Sequence, residues 1–165
     1  NYVGAVRGVS IFGTDGRETI NFPHHHRRYG VNKRARTAHA FKKIVRQLKS
    51  LRDQLVADGK LAAGACASFF IECLAYRVED DYYLVDEGRR ARLKRILNRS
   101  WAQVCDPAWC AVAREINDHK MLFGAHQPWT PQTAKTFIAL AIAVEIEVEN
   151  PESDRSMKVP LGIVS

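Results

Sequence analysis

The stretch RTAHAFKKIVRQLKSLRDQLVADGK, residues 36–60, decides the fold class because it carries the clearest helical periodicity of the chain. Apolar residues recur in it every three or four positions, which places them on one face of a helix. Asp58 and Gly59 supply a stop signal at the end of the stretch. The sequence therefore predicts a long amphipathic helix whose apolar face belongs to a core. That face consists of Phe41, Ile44, Val45, Leu48, Leu51 and Leu55.

A second face of the same predicted helix is cationic. Lys42, Arg46 and Lys49 follow one another at spacings of four and three residues, which brings them to one side of a helix. No acidic residue occurs from Thr19 to Arg52. Because no neighbour along the chain neutralises this charge, the face is either a solubilising surface or an anion-binding groove suited to phosphates.

Length and charge restrict the class of protein. The chain has 165 residues and a formal net charge of +7, which fits one domain and favours anionic partners such as nucleotides or nucleic acid. The longest apolar run, FIALAIAV at 137–144, is too short to cross a bilayer. Four cysteines do not make a disulfide framework, and no signal peptide is visible. We therefore expect a cytoplasmic protein without a membrane partner. A second basic cluster comprises Arg89, Arg90, Arg92, Lys94, Arg95 and Arg99.

The N-terminal part contains the β-structure of the predicted α+β, mostly helical fold. Two β-prone runs around the turn signal GTDG predict a hairpin at residues 2–12 and 17–22. An isolated hairpin is marginal in water, so this one should belong to a larger sheet. Residues 23–35 are polar, with Gly30 as a break, and we expect an extended connector there.

The C-terminal part is predicted to be helical. Helices are expected at 66–78 and 87–104, and again in QPWTPQTAKTFIALAIAVEI, where Thr130 should cap the helix and Pro131 should occupy its first turn. Residues 107–118 are ambiguous between helix and irregular structure. The sequence therefore predicts that the chain divides into a hairpin at 1–22, a helical lobe at 23–149 and a loosely ordered tail at 150–165.

Three successive histidines in FPHHHRRYG, residues 22–30, raise the question of a metal site. Consecutive residues of a strand or loop point in different directions, so at most two of the rings could share an ion. Arg27 and Arg28 would repel a cation. A solvated connector or an anion contact suits this segment better than a metal site.

Two further patterns contain metal-ligand residue types. Cys105 and Cys110 form half of a zinc pattern that His119 or His126 could complete, but the spacing is loose and we expect ordinary thiols. Alternating carboxylates at the end of the last predicted helix suit magnesium, although a solvated or frayed helix edge is the simpler interpretation. These carboxylates belong to Glu145, Glu147 and Glu149.

The run Ser68-Phe69-Phe70 opens the predicted helix at 66–78. One interpretation is a helix start followed by core residues, and Phe70 and Leu74 fit it. The other is a nucleotide contact, because a hydroxyl beside an aromatic ring suits a phosphate and a base. The pattern alone leaves both open.

Four segments occur in a recognisable order: GVSIFGTDGRETINFPHHH, YGVNKRARTAHAFKKIVRQLKSLRDQL, ASFFIECLAYRV and QPWT. This succession resembles the C-terminal part of bacterial cyclic-oligonucleotide synthases, nucleotidyltransferases related to oligoadenylate synthase and cyclic GMP-AMP synthase. The resemblance implies an N-terminal palm sheet, whose Gly-Ser turn and three aspartates hold two magnesium ions, and a helical C-terminal lobe that closes over the nucleotides. It also implies a role in bacterial antiviral signalling.

The resemblance assigns roles to particular residues. The helix beginning near Arg36 corresponds to the second part of the junction between the lobes. Lys42 matches the family lysine that reaches the donor triphosphate, with Lys43 as the alternative. Ser68 corresponds to a serine on phosphate, and Phe69 to the ring that stacks on the donor base. The family often has tyrosine there, so a hydrogen bond from that ring is not expected here.

The chain lacks the catalytic pattern of the family. It contains no Gly-Ser turn followed by Asp-x-Asp, and its hairpin corresponds to strands that follow the third aspartate. We therefore expect the catalytic aspartates and Mg²⁺ upstream of Asn1, no catalytic or metal-binding residue within the chain, and no transfer activity of the chain alone.

The expected function is the nucleotide-grasping part of an enzyme that makes a cyclic or linear oligonucleotide from NTPs. The upstream palm segment or a second chain would be its partner. A catalytically inert nucleotide- or RNA-binding module, using the same basic face, and a regulatory interaction domain are the alternatives.

Overall fold

The computed structural model describes residues 8–12 and 18–149, which form two strands and seven helices. The predicted α+β, mostly helical class is confirmed. The predicted tail lies outside the described residues. In chain order the elements are β1 (Val9–Phe12), β2 (Glu18–Asn21), α1 (Pro23–Arg36), α2 (Ala40–Ala57), α3 (Ser68–Arg77), α4 (Asp81–Leu84), α5 (Arg89–Cys105), α6 (Pro107–Val112) and α7 (Pro131–Glu149).

The predicted hairpin is confirmed over the described part of its range. Strands β1 and β2 pair antiparallel, with Val9 opposite Asn21. Residues 2–7 and 17 of the predicted strands lie outside the described residues. Val9, Ile11 and Phe12 all have exposed side chains, so the hairpin contributes little to the core of this lobe.

Residues 23–36 form helix α1, so the extended connector predicted for 23–35 is wrong. The helix has no apolar stripe that periodicity could detect. Pro23 occupies its first turn, where the missing N–H costs nothing. Three basic residues in the last turn favour the negative end of the helix dipole. Gly30, expected to break the segment, is instead a buried residue inside the helix.

A buried lysine, Lys33, links helix α1 to the residues that follow α3. The Lys33 side chain is only 4% exposed, and its Nζ lies 2.6 Å from Asp80 Oδ1. The same ammonium donates to the Val78 carbonyl and lies over the rings of Tyr76 and Tyr83. Burial lowers the pKa of Lys33, and the hydrogen bond to Asp80 opposes that shift. Contacts distant in sequence therefore stabilise a helix that has little apolar surface.

The turn between α1 and α2 contains two residues with left-handed backbone. Ala38 has φ of 46° and His39 has φ of 66°, a conformation that costs non-glycine residues of order 1 kcal/mol or more. The Thr37 hydroxyl accepts a hydrogen bond from the Phe41 amide at 3.2 Å. Because this turn interrupts the helical backbone, the helix expected from near Arg36 begins at Ala40.

Helix α2 forms the centre of the lobe. Every residue of the apolar face predicted for it is buried, and α2 packs against both α3 and α7. Gly59 follows the helix with φ of 69°, a conformation that glycine adopts without strain. The predicted amphipathic helix and its C-terminal stop are confirmed.

The remaining predicted helices are confirmed as α3, α5 and α7. The Thr130 hydroxyl accepts from the Thr133 amide at 3.2 Å, as expected of a helix cap. The ambiguous range 107–118 divides into the short helix α6 and an irregular segment. None of the helices in the described ranges combines the length and apolar character needed to cross a bilayer.

Candidate functional site

The cationic side of α2 lies against the first turns of α3. Lys42 forms an ion pair with Glu72, and Lys49 Nζ lies 4.0 Å from the second oxygen of the same carboxylate. Near the start of α3, Arg52 Nη1 donates to Ser68 Oγ at 3.2 Å. Lys42 and Lys49 of the acid-free run therefore have a counter-charge in space, which comes from another helix.

The start of α3 combines several groups that attract anions. Ser68 is the first helical residue and is exposed. The preceding residue, Ala67, supplies no capping side chain, which leaves first-turn amides available, as at helix termini that bind anions. Arg52 is held beside this turn by a further hydrogen bond to the Cys66 carbonyl at 2.9 Å.

The two neighbouring phenylalanines have different environments. Phe70 is fully buried and stacks on Trp129, with ring centroids 4.9 Å apart and an interplanar angle of 20°. Phe69 is half-buried, and its ring centroid lies 5.2 Å from that of His26 and 6.1 Å from that of Trp129. Phe70 therefore belongs to the core, whereas Phe69 lies at its edge.

A cavity of about 410 Å³ opens beside Phe69. Glu115, which is buried, accepts hydrogen bonds from Asn117 Nδ2 and from Gln127 Nε2. These bonds hold polar groups in a lining that also contains the Phe69 ring, a combination that suits a planar ligand with polar edges. The lining residues are Asn21, Phe22, Pro23, His26, Phe69, Glu115 and Asn117.

His26 connects this cavity to the cationic face. Its Nδ1 atom is buried and has no hydrogen-bond partner among the described residues. Burial lowers the pKa of His26, and the charge of Glu72 opposes the shift while that of Lys42 reinforces it. The imidazole is therefore favoured in its neutral form near neutral pH.

The three histidines lie in separate environments on α1. His24 is exposed, His25 Nδ1 lies 3.2 Å from Nε2 of His119, and His26 contacts Phe69. A solvated connector is the wrong description for His25 and His26, because both rings are half-buried against other segments. An anion contact stays a prediction.

The cysteine pattern does not assemble a metal centre in the described part of the chain. Cys110 is buried and donates from Sγ to the Val104 carbonyl at 3.4 Å, whereas Cys105 is exposed. Within residues 8–12 and 18–149, no group of three or more His, Cys, Asp or Glu is arranged to hold a metal ion. The described residues therefore do not fit Mg²⁺.

The carboxylates near the end of α7 are not a uniformly solvated edge. Glu145 is buried and accepts from Arg90 Nε at 3.0 Å, which corrects the expectation of a solvated edge for that residue. Glu147 is exposed and lies 3.7 Å from Lys60 Nζ.

The four predicted binding residues lie on the facing helices α2 and α3. Ser68 and Phe69 form the start of α3, and Lys42 contacts Glu72 one turn further along it, whereas Lys43 is exposed at the neighbouring position of α2. Sequence reasoning missed Glu72. It is the only acid in SFFIECLAYR and falls three residues after Phe69, a spacing that could have indicated a contact on the same side.

Glu115 and Asn117 were also missed, because they lie in the irregular segment after α6, where no periodicity predicts a facing direction. Nothing in the local sequence indicates that their polar groups would face His26. The positions of Glu115 and Asn117 depend on how α1 and the hairpin pack beside this segment.

A family model for the cGAS/DncV-like nucleotidyltransferase C-terminal helical domain matches residues 28–144. Among curated relatives, a cyclic dipyrimidine nucleotide synthase CdnE of Legionella pneumophila is 34% identical over 141 residues, which is 86% of this chain and 46% of that protein. A cyclic dipurine nucleotide synthase of Elizabethkingia meningoseptica is 30% identical over 131 residues, covering 79% of this chain and 44% of that protein.

A solved structure of the Elizabethkingia meningoseptica CdnE cyclic dinucleotide synthase, with GTP and Apcpp, superimposes with a TM-score of 0.75 at 28% identity. It covers 83% of this chain and 49% of that one. The chain thus spans about half the length of the relatives it matches.

Proposed function

Because the chain belongs to the family of cGAS/DncV-like nucleotidyltransferase C-terminal helical domains, we propose that it is the nucleotide-grasping lobe of an enzyme that makes a cyclic or linear oligonucleotide from NTPs. The reaction of the whole protein would be attack of a ribose hydroxyl on the α-phosphorus of a second nucleotide, with pyrophosphate leaving. This lobe binds and orients the donor nucleotide.

The observation that carries the proposal is the convergence of cationic and aromatic side chains on the first turns of α3. Lys42 supplies an ammonium group, Ser68 a hydroxyl beside free helix amides, and Phe69 an aromatic face at the edge of a cavity. Phosphate oxygens suit the first two groups, and a base suits the third.

We further propose that the catalytic aspartates and the magnesium ions they hold belong to a palm segment outside this chain, and that residues 1–22 are part of its sheet. The exposed apolar side chains of Val9, Ile11 and Phe12 support this division, since such a surface favours burial against another part of the protein. A bacterial cytoplasmic location and a role in antiviral signalling follow from the same resemblance.

An inert nucleotide- or RNA-binding module that uses the same basic face is the alternative. The basic cluster on α5 is a further surface for an RNA phosphate, but there Arg95 makes a two-pronged pair with Glu87, and Arg99 makes one with Glu79. On α2, by contrast, Lys42 and Lys49 share the single carboxylate of Glu72, so that pair keeps a net positive charge for an anionic ligand.

The test is product analysis of the intact protein supplied with radiolabelled ATP, CTP, GTP and UTP. We expect oligonucleotide products and pyrophosphate release. Lys42→Ala should reduce nucleotide use about tenfold or more, the size of a lost charge-assisted contact. Arg99→Ala is the matched control, because it removes the same formal charge from α5. Equal losses in the two variants, or RNA binding with no turnover of any NTP, would contradict the proposal.

A further inference from the structure

The turn at residues 114–118, between α6 and α7, carries two of the polar groups that line the cavity beside Phe69. Glu115 and Asn117 are both buried, and Asn117 Nδ2 donates to the Glu115 carboxylate. Asp118, at the end of the turn, has φ of 59°. This is the left-handed region, which residues other than glycine occupy at a cost, although Asp tolerates it better than most. A turn of this shape therefore needs contacts that hold it.

Arg77, the last residue of α3, makes such contacts. Its Nε atom donates to the Arg114 carbonyl at 2.6 Å, and its Nη2 atom donates to the Glu115 carbonyl and to Asp118 Oδ1. One guanidinium group therefore binds the turn at its first, second and last residues. Because the N–H donors of arginine lie in a fixed planar fork, these contacts define the orientation of the turn as well as its distance from α3.

Arg77 is itself held in place by its surroundings. Its side chain is only 21% exposed, and its guanidinium carbon lies 5.0 Å from the ring centroid of Tyr76. Its carbonyl accepts a hydrogen bond from the buried Gln103 of α5 at 3.0 Å. Ile116 also anchors the turn, since it is fully buried, but apolar packing is non-directional. The orientation of the neighbouring polar groups therefore depends on the hydrogen bonds.

Helix α3 supports two parts of the cavity lining at once. Phe69 lies in its first turn and lines the cavity directly. Arg77 lies at its end, roughly 12 Å further along the helix axis, and holds the turn that supplies Glu115 and Asn117. One rigid helix therefore sets the position of an aromatic face relative to that of a carboxylate, as precise binding sites require.

We propose that Arg77 is a positioning residue for the nucleobase, which holds the turn so that the Glu115 carboxylate can accept a hydrogen bond from a base stacked on Phe69. The inference rests on the proposed nucleotide-binding function and extends it to the edge of the base. The bonds from Asn117 and Gln127 engage one lone pair on each oxygen of Glu115. A carboxylate has about four lone-pair sites, so Glu115 retains the capacity to accept from an N–H group of a base.

The experiment measures dissociation constants of two probes by calorimetry, a non-hydrolysable ATP analogue and inorganic tripolyphosphate, with affinities corrected for the folded fraction. Arg77→Ala should weaken binding of the ATP analogue about tenfold, the size of a lost polar contact, and binding of tripolyphosphate less than about twofold. Tripolyphosphate has no base for the turn to contact. A purely structural role of Arg77 would lower the melting temperature and leave the ratio of the two dissociation constants unchanged.

A double variant tests whether Arg77 acts through Glu115. Glu115→Gln should by itself weaken the ATP analogue by a similar factor, because it removes the charge of the acceptor. In the Glu115→Gln background, Arg77→Ala should change the affinity for the ATP analogue little further, since the group that Arg77 positions is already altered.

Two further variants complete the design. Arg99→Ala is the matched control, because it removes an arginine of α5 that makes a two-pronged pair with Glu79, and it should leave the ratio unchanged. Arg77→Lys keeps the charge without the planar fork and should lose most of the affinity for the ATP analogue that Arg77→Ala loses. If Arg77→Ala does not fold, as judged by circular dichroism, Arg77→Lys decides.

The outcomes separate this inference from the proposed function. If the wild-type chain does not bind the ATP analogue, the proposed nucleotide site is wrong and the role of Arg77 falls with it. If the wild type binds the analogue and the Arg77 variants keep the wild-type ratio, the site stands and the positioning role is refuted. Additive losses in the double variant would also refute it, because Arg77 would then act other than through Glu115.

Discussion

Truncation of Phe69 should separate binding from stability, because this ring is half-buried whereas its neighbour Phe70 is fully buried. Removal of a buried phenylalanine ring costs about 3–5 kcal/mol of unfolding free energy, the loss expected for Phe70→Ala. Phe69 keeps part of its ring exposed, so its truncation should cost less unfolding free energy than that of Phe70. Loss of base stacking should additionally cost about 1–3 kcal/mol of nucleotide binding, or roughly 5- to 150-fold in Kd.

The assay combines thermal unfolding with calorimetric titration of a non-hydrolysable ATP analogue, with affinities corrected for the folded fraction. Phe69→Ala should melt between wild type and Phe70→Ala but bind the analogue more weakly than either. Phe69→Tyr should bind nearly as well as wild type, because the aromatic face is preserved and the ring borders a cavity.

The reverse pattern would refute the reasoning. If Phe69→Ala melts as low as Phe70→Ala while its folded fraction binds the analogue normally, Phe69 is a core residue. The base would then have to be held by other residues.

Three further predictions follow from buried groups and from the missing carboxylates. Lys33→Ala should lower the free energy of unfolding in urea by about 3 kcal/mol. This is the lower end of the range for breaking a buried ion pair, because Asp80 is partly exposed and also contacts Arg36. A loss below about 1 kcal/mol would show that Lys33 does not stabilise α1. Because the folded-state pKa of His26 lies below its ordinary value of 6.5, its contribution to stability is complete above about pH 6.5 and is lost as pH falls. His26→Gln should therefore flatten the fall in unfolding free energy from about pH 7.5 to about pH 5.5, and the exposed His24→Gln control should not. The purified chain with Mg²⁺ and NTPs should release no pyrophosphate above blank, and release that persists after repurification would contradict the expected location of the aspartates.

Periodic apolar patterns account for the elements that could be predicted from the sequence. The face of α2 follows from Phe41, Ile44 and their successors, since a stripe of this kind can be buried only in a helix that packs on a core. The start of α7 followed from the Thr130 cap. Both signals are local, so one sequence contains them completely.

Helix α1 could not be predicted, because its stability depends on contacts that are distant in sequence. Lys33 interacts with Asp80 across 47 positions of the numbering, and Gly30 is buried by packing. The segment by itself has no apolar stripe, so its composition resembles a polar loop. Only the folded lobe supplies the partners that make it helical.

The candidate site was partly predictable for the same reason. Lys42, Ser68 and Phe69 came from a resemblance of ordered segments, whereas the pairing of Lys42 with Glu72 is a tertiary contact between two helices. The cationic face therefore has no acidic neighbour along the sequence, but in the folded lobe Glu72 of another helix supplies a counter-charge.

The central claim is that the start of α3 binds a nucleoside triphosphate, and amide chemical-shift mapping tests it most directly. The ¹⁵N-labelled chain would be titrated with a non-hydrolysable ATP analogue. We predict concerted shifts at Ser68, Phe69 and Lys42, and small shifts at Arg95 and Arg99 on α5. Shifts confined to α5, or no saturable shift anywhere along α2 and α3, would contradict the account.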